Sequence, residues 1–163
     1  MIGLCFDEIE VGFAVDLGSY SFTRENVLAY ARKFDPQPFH MDDEAAARGP
    51  FGRLAASGWH TAAGWMKCYV AANQAAEARR KDDGKPGVAV GPSPGFTNLK
   101  WLKPVYPGDT VSYRSVVTGK RGLDSRPDWG LVLSLNEGFN QNRELVFSFE
   151  GKVLTPRSVT RER

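Results

Sequence analysis

The chain has 163 residues, with 21 Lys plus Arg against 19 Asp plus Glu, a net charge of +2 and 42% hydrophobic residues. This is the size and make-up of one globular domain, which can bury about 70% of its unfolded surface without help from a metal or a disulfide. The even charge balance argues against a dedicated nucleic-acid binder, which would carry a basic stripe. In chain order, Phe13, Val15 and Leu17 alternate with Ala14 and Asp16, a strand pattern. Thr23 is placed to cap a helix over 24–34, with Glu25 in its first turn and Val27, Leu28, Ala31 and Phe34 at helical spacing. Pro36 ends it, because the residue before proline is driven out of the α region. The segment 35–40, Asp-Pro-Gln-Pro-Phe-His, reads as a loop stiffened by two prolines. A short helix over 43–48, opened by Asp42, is broken by Gly49-Pro50-Phe51-Gly52.

The longest helix is expected to start at a cap on Ser57 and run to about Arg80, roughly 36 Å at 1.5 Å per residue. Its first half is apolar almost all round and is predicted to be buried; its second half is wetter. Segment 81–95, rich in Gly and Pro, reads as loop. The remainder is strand: 97–102, then a turn over 104–109, then 110–119, a strand around 131–136 and another over 145–150. Segment 121–130 reads as a long hairpin loop, and Asn142-Arg143 as a tight one with Asn taking positive φ. The element count fits an α+β domain with a five-stranded antiparallel sheet around one long helix over 1–156, followed by a polar tail over 157–163.

Cys5 and Cys68 are too few for a disulfide framework and have no metal-ligand spacing. The N-terminus, MIGLCFDEIEVG, carries acids where a signal peptide needs basic residues, and the longest apolar run, around 58–72, is too short to span a bilayer. The expectation is a cytoplasmic protein without membrane or nucleic-acid partners and without a metal or redox cofactor.

Only His40 and His60 can supply an imidazole. Asp35 and His40 lie five residues apart on the stiff loop, where a carboxylate and an imidazole could share a water and exchange protons with it. The bland alternative is that Asp35 closes a turn and His40 begins a helix. Ala55-Ala56-Ser57-Gly58-Trp59-His60 puts a glycine at the start of the long helix, where a bare N–H at the positive dipole end could hold an oxyanion. Capping and close packing explain the same residues equally well. His60 reads as a helix histidine facing pocket or core. Trp59, Trp65 and Trp101 read as core or acyl-pocket wall.

The run from Tyr30 to His40 resembles the hydratase motif of the MaoC-like dehydratases, the (R)-specific enoyl-CoA hydratases, which reads Asp-x-Asn-Pro-x-His. The likeness continues through Ala55–Thr61, Trp101–Asp109 and Asn140–Asn142. It implies a hot-dog fold and reversible hydration of a trans-2-enoyl thioester. By that likeness Asp35 and His40 are the catalytic pair, the Gly58 amide is the oxyanion donor, and Gln37, Ser57, Trp59 and His60 surround the substrate. CoA would enter only as part of an acyl-CoA or other acyl thioester substrate, with Lys100, Lys103, Arg121 or Arg126 meeting its phosphates. A homodimer, or an assembly of dimers, is implied as well. The chain departs from the motif in having Gln37 for Asn, and Ser57-Gly58 for the usual His-Gly. A thioesterase using the same fold, or a binding subunit with a weakened site, are the rival readings.

Overall fold

The computed structural model describes residues 2–157; the proposed tail from 158 onward lies outside the described residues. Four α-helices and five strands follow a short 3₁₀ turn, Phe6–Glu8, that the sequence pattern did not indicate. They are β1 (Ala14–Ser21), α1 (Arg24–Phe34), α2 (Pro38–Met41), α3 (Asp43–Ala47), α4 (Gly58–Asp82), β2 (Gly95–Trp101), β3 (Thr110–Gly122), β4 (Trp129–Phe139) and β5 (Leu145–Pro156). The strands form one antiparallel sheet in the order β1-β3-β4-β5-β2. With α4 lying along its inner face, this is the hot-dog arrangement.

Local chemistry accounts for most of these bounds. The Thr23 hydroxyl accepts from the Asn26 N–H and caps α1, and Asp42 caps α3 through the Ala45 N–H. Segment 35–40 is not all loop: Pro38 opens a one-turn helix, its fixed φ being suited to the first helical position and its missing N–H one that would go unbonded there. His40 therefore sits on a helical turn. In β1 the register slips between Asp16 and Gly18, leaving Leu17 as an extra, buried residue. Phe13 precedes the strand and is exposed. The β3–β4 connection is shorter than 121–130 because both strands run on to Gly122 and from Trp129. In the last hairpin Arg143, not Asn142, takes positive φ, and the Asn140 carboxamide oxygen accepts from the N–H groups of Asn142 and Glu144 to hold the turn.

Helix α4 seats on the sheet through Thr61, Gly64, Trp65, Cys68, Tyr69, Ala72 and Ala76. At Gly64 a Cβ would lie 2.8 Å from the Tyr113 hydroxyl, and that hydroxyl donates to the Thr61 carbonyl at 2.8 Å. Only glycine lets helix and sheet approach this closely. The expectation of an all-round buried first half fails on one side: Trp59, Met66 and Val70 are about half exposed. On the neighbouring β2 segment Phe96, Trp101 and Leu102 are exposed as well.

Between α4 and the inner face of β2, β4 and β5 lies a cavity of about 520 Å³. Its wall is largely apolar and runs from Tyr30 and Trp59 at one end to Val90, Gly91 and Val153 at the other.

Candidate active site

Helix α1 delivers Asp35 at its C-terminal end, α2 delivers His40, and α4 starts beside them at Ser57-Gly58. The Asp35 carboxylate accepts two hydrogen bonds, from the Ser57 hydroxyl to Oδ2 at 2.6 Å and from the Gln37 amide to Oδ1 at 2.7 Å. His40 Nε2 lies 3.6 Å from Asp35 Oδ2, beyond direct hydrogen bonding. The side of the imidazole away from Asp35 is fixed: Nδ1 is 2.7 Å from the Ala55 carbonyl oxygen, which can only accept, so Nδ1 carries the proton. In the neutral ring the Nε2 lone pair therefore faces the carboxylate, across a gap that one water can bridge. Phe39 and Phe51 pack against the imidazole.

Both side chains are largely enclosed, His40 more than Asp35. Burial pushes the Asp35 carboxyl up, but the Ser57 and Gln37 hydrogen bonds and the nearby imidazole outweigh it and hold the group below its ordinary value of 3.8. Asp35 is thus a carboxylate at neutral pH. Gln37 reaches it as donor, so the longer amide here orders the loop through the Asp35 carboxylate itself.

Ser57 has two tasks. Its hydroxyl donates to Asp35 and accepts from the Trp59 N–H as the cap of α4. It is buried, and its hydroxyl holds Asp35 in position. Gly58 is the first residue of α4, where geometry denies its N–H an intrahelical acceptor, and none of the described residues accepts from it. A Cβ at Gly58 would lie 2.7–2.8 Å from three atoms of the Trp101 ring, whose Nε1 donates to the Gly58 carbonyl at 2.8 Å. Trp101 thus pins the peptide whose next neighbours form the cap. Trp59 packs edge-on to Trp101 at the mouth of the cavity. Gly58→Ala keeps the backbone N–H but is expected to displace Trp101 and break its bond to the carbonyl of residue 58. A shift in tryptophan fluorescence, with circular dichroism showing retained fold, checks this.

His60 is placed apart from this pair. It is buried in an aromatic cage, stacked on Tyr30 with ring centroids 4.5 Å apart, edge-on to Phe22, and with Nε2 3.3 Å from the Tyr20 hydroxyl. It supports Tyr30, which lines the cavity, while its own ring does not. Of the basic residues suggested for CoA, Lys100 and Lys103 flank Trp101, with Lys103 ion-paired to Glu144. Arg121 is eight residues along β3 from Tyr113, roughly 26 Å at 3.3 Å per residue, and Arg126 is in the hairpin beyond it. Within one chain the two arginines lie at the end of the sheet away from Gly58.

A carboxylate and an imidazole 3.6 Å apart thus stand beside the start of α4, and the apolar cavity, which neither of them lines, opens past Tyr30 and Trp59. The family profile of the MaoC-like domain matches residues 10–130, and the chain belongs to that family, one of hydratases and dehydratases. It is similar to the MaoC-like dehydratase from Rhodospirillum rubrum, with 35% identity, 96% of this chain and 99% of that one covered, and a TM-score of 0.82. An (R)-hydratase from Pseudomonas aeruginosa has the same fold at 21% identity, with 99% and 93% covered and a TM-score of 0.67. A mesaconyl-CoA hydratase from Cereibacter sphaeroides is 40% identical over 55 residues, which are 34% of this chain and 16% of that protein.

Proposed function

We propose that the protein is a hydro-lyase that reversibly hydrates a trans-2-enoyl thioester, carried on CoA, to the (R)-3-hydroxyacyl thioester. The observation that carries this reading is the 3.6 Å gap between Asp35 Oδ2 and His40 Nε2, each group held from behind by a separate partner. A water seated beside the pair, within hydrogen-bond reach of both, donates to the two acceptors, so its oxygen is directed outward toward the substrate. In the hydration direction the water oxygen bonds to Cβ while the dyad takes one of its protons. The electron pair of the double bond moves toward the thioester oxygen, where the Gly58 N–H stabilises the enolate-like charge. The dyad then returns a proton to Cα on the same face. The net change is addition of H and OH, and the dyad ends as it began.

The carboxylate and the imidazole stay ready for this because Ser57, Gln37 and the Ala55 carbonyl fix them in advance. The apolar cavity suits an acyl chain, and Lys100 and Lys103 suit the acidic carrier. The engaged position of Gln37 speaks against a site weakened by loss of the motif's Asn. The test is loss of enoyl absorbance with crotonyl-CoA and longer enoyl-CoAs, with chiral analysis of the product. Hydration giving the (R)-3-hydroxyacyl-CoA supports the reading; release of free thiol with the C=C bond retained in the free acid would replace it by a thioesterase.

The working form is proposed to be a homodimer. The exposed strip of Trp59, Met66, Val70, Phe96, Trp101 and Leu102 is large for a monomer's surface and borders the cavity mouth. Sedimentation equilibrium is expected to give twice the chain mass of 18.0 kDa; a lone monomer at micromolar concentration would contradict it.

A further inference from the structure

The inner face of β4 is the reverse of what its sequence suggests. Val132, Ser134 and Asn136 face α4, while Leu131, Leu133 and Leu135 alternate onto the other side. Ser134 and Asn136 thus stand in the wall of a largely apolar cavity, which Ser93 also lines. They belong to a chain of hydrogen bonds with one direction. The Ser115 hydroxyl donates to Asn136 Oδ1 at 2.7 Å, and Asn136 Nδ2 donates to the Ser134 hydroxyl oxygen at 3.1 Å. The relay ends on Ser134, whose own proton finds no acceptor among the described residues. Donors aligned in this way polarise one another, so the last O–H is the strongest.

Two further observations point at the same spot. Gly151 lies opposite Ser134 in register, and a Cβ there would come within 2.9 Å of Asn136 Nδ2 and 3.2 Å of the Ser134 hydroxyl. The glycine therefore gives the two donors room to stand over β5, where any side chain would push them out of place. Across the cavity, the Trp65 indole N–H is buried without a hydrogen-bond partner among the described residues. That ring packs edge-on to Phe149, the residue paired with Asn136 in β5. The Trp65 N–H is thus a buried donor left unbonded, which is costly, while the Ser134 oxygen accepts from Asn136 and leaves its proton to turn toward an acceptor in the cavity both residues line.

We propose that the cavity accepts an acyl chain bearing a neutral oxygen function, a ketone or an ether, which takes hydrogen bonds from Ser134 and Trp65. A carboxylate does not fit, because no cation faces this part of the cavity among the described residues. Lys152, which lines it through its strand, is out of phase with Gly151 and Val153 and projects from the other side of β5. The oxygen lies several carbons from the thioester: Gly151 is four residues along β5 from Phe147, which pairs with Trp101 beside Gly58, roughly 13 Å.

For its turnover readout this proposal rests on the hydratase reading; for its binding readout it does not. The test pairs trans-2-enoyl-CoAs of equal length, one plain and one with a ketone or ether oxygen scanned along the distal carbons. Wild type is expected to prefer the oxygenated chain by about tenfold in kcat/KM at one point of the scan, the worth of one buried hydrogen bond. Ser134→Ala is expected to bring that ratio close to one. Trp65→Phe, which keeps a ring and removes the donor, is expected to reduce it also and serves if Ser134→Ala does not fold. No preference at any position, a preference for a distal carboxylate, or a preference that survives both substitutions overturns the proposal. If no enoyl-CoA is turned over, the hydratase reading falls and calorimetric titration with the saturated acyl-CoA pair decides the pocket. Tighter binding of the oxygenated chain, lost in Ser134→Ala, upholds it; equal binding or none overturns it.

Discussion

Asp35→Asn and His40→Ala are each expected to lower kcat for enoyl-CoA hydration by at least about 10², the low end of general acid–base contributions. The Asp35 substitution is more than a loss of charge. The carboxylate offers two acceptors to two donors, Ser57 and Gln37. An asparagine offers one, so either the serine or the glutamine must turn away and the loop that carries His40 loosens. His40→Ala removes the Nε2 lone pair and leaves the Ala55 carbonyl without its buried donor. Because the two groups hold one water between them, the double substitution is expected to cost little more than either alone, as in other sites whose members act as a unit. The pH–rate profile adds a second readout. Asp35 is held below 3.8, so an acid limb belonging to its protonation lies below that pH. Single-turnover measurements that separate binding from chemistry, with both variants at wild-type rates, would sink the mechanism.

The long helix, the five strands and the pairing of Asp35 with His40 were legible because each rests on a local pattern. Alternation shows in Leu145, Phe147 and Phe149, capping in Thr23 and Ser57, and the stiff turn in Pro36 and Pro38. What was not legible depends on contacts distant in sequence. Ser57 reads as a helix cap, and nothing near it in the chain says that its hydroxyl also reaches Asp35, 22 residues away. The role of Gln37 was equally hidden: its longer side chain reads as a departure until Asp35 is seen to accept from it. Trp101 binds the Gly58 carbonyl from β2, 43 residues on. The alternation in β4 would turn Leu131, Leu133 and Leu135 to the helix, whereas Val132, Ser134 and Asn136 line the cavity, their polar groups bonded to one another and to Ser115. The half-exposed side of α4 was missed for a related reason: periodicity shows which residues are apolar, and cannot say whether this chain covers them.

Acidification between pH 6.5 and about 4 is expected to destabilise the fold by about 3 kcal/mol through His60 alone. Burial lowers its pKa from 6.5 to about 4, since the ring sits among Tyr20, Phe22 and Tyr30 with Nδ1 lacking any partner among the described residues. The phenols of Tyr20 and Tyr30 are themselves pushed up by burial, so neither supplies a negative charge to hold an imidazolium. Above pH 6.5 the ring is neutral in both folded and unfolded chains and stability does not depend on it. As pH falls below 6.5 the unfolded chain binds a proton that the folded chain refuses, and the difference, worth about 1.36 kcal/mol per pH unit, accumulates until the folded ring also protonates near pH 4. Asp35, whose folded pKa is lowered, contributes stability that is lost only below this window, as pH falls past 3.8. Urea unfolding of wild type and His60→Phe at pH 7, 5.5 and 4.5 separates the two groups. The free-energy gap between the proteins is expected to shift toward the variant by roughly 1 kcal/mol from pH 7 to 5.5 and by roughly 1 kcal/mol more to pH 4.5. A gap independent of pH across that range would mean that the buried ring carries its charge in the folded protein.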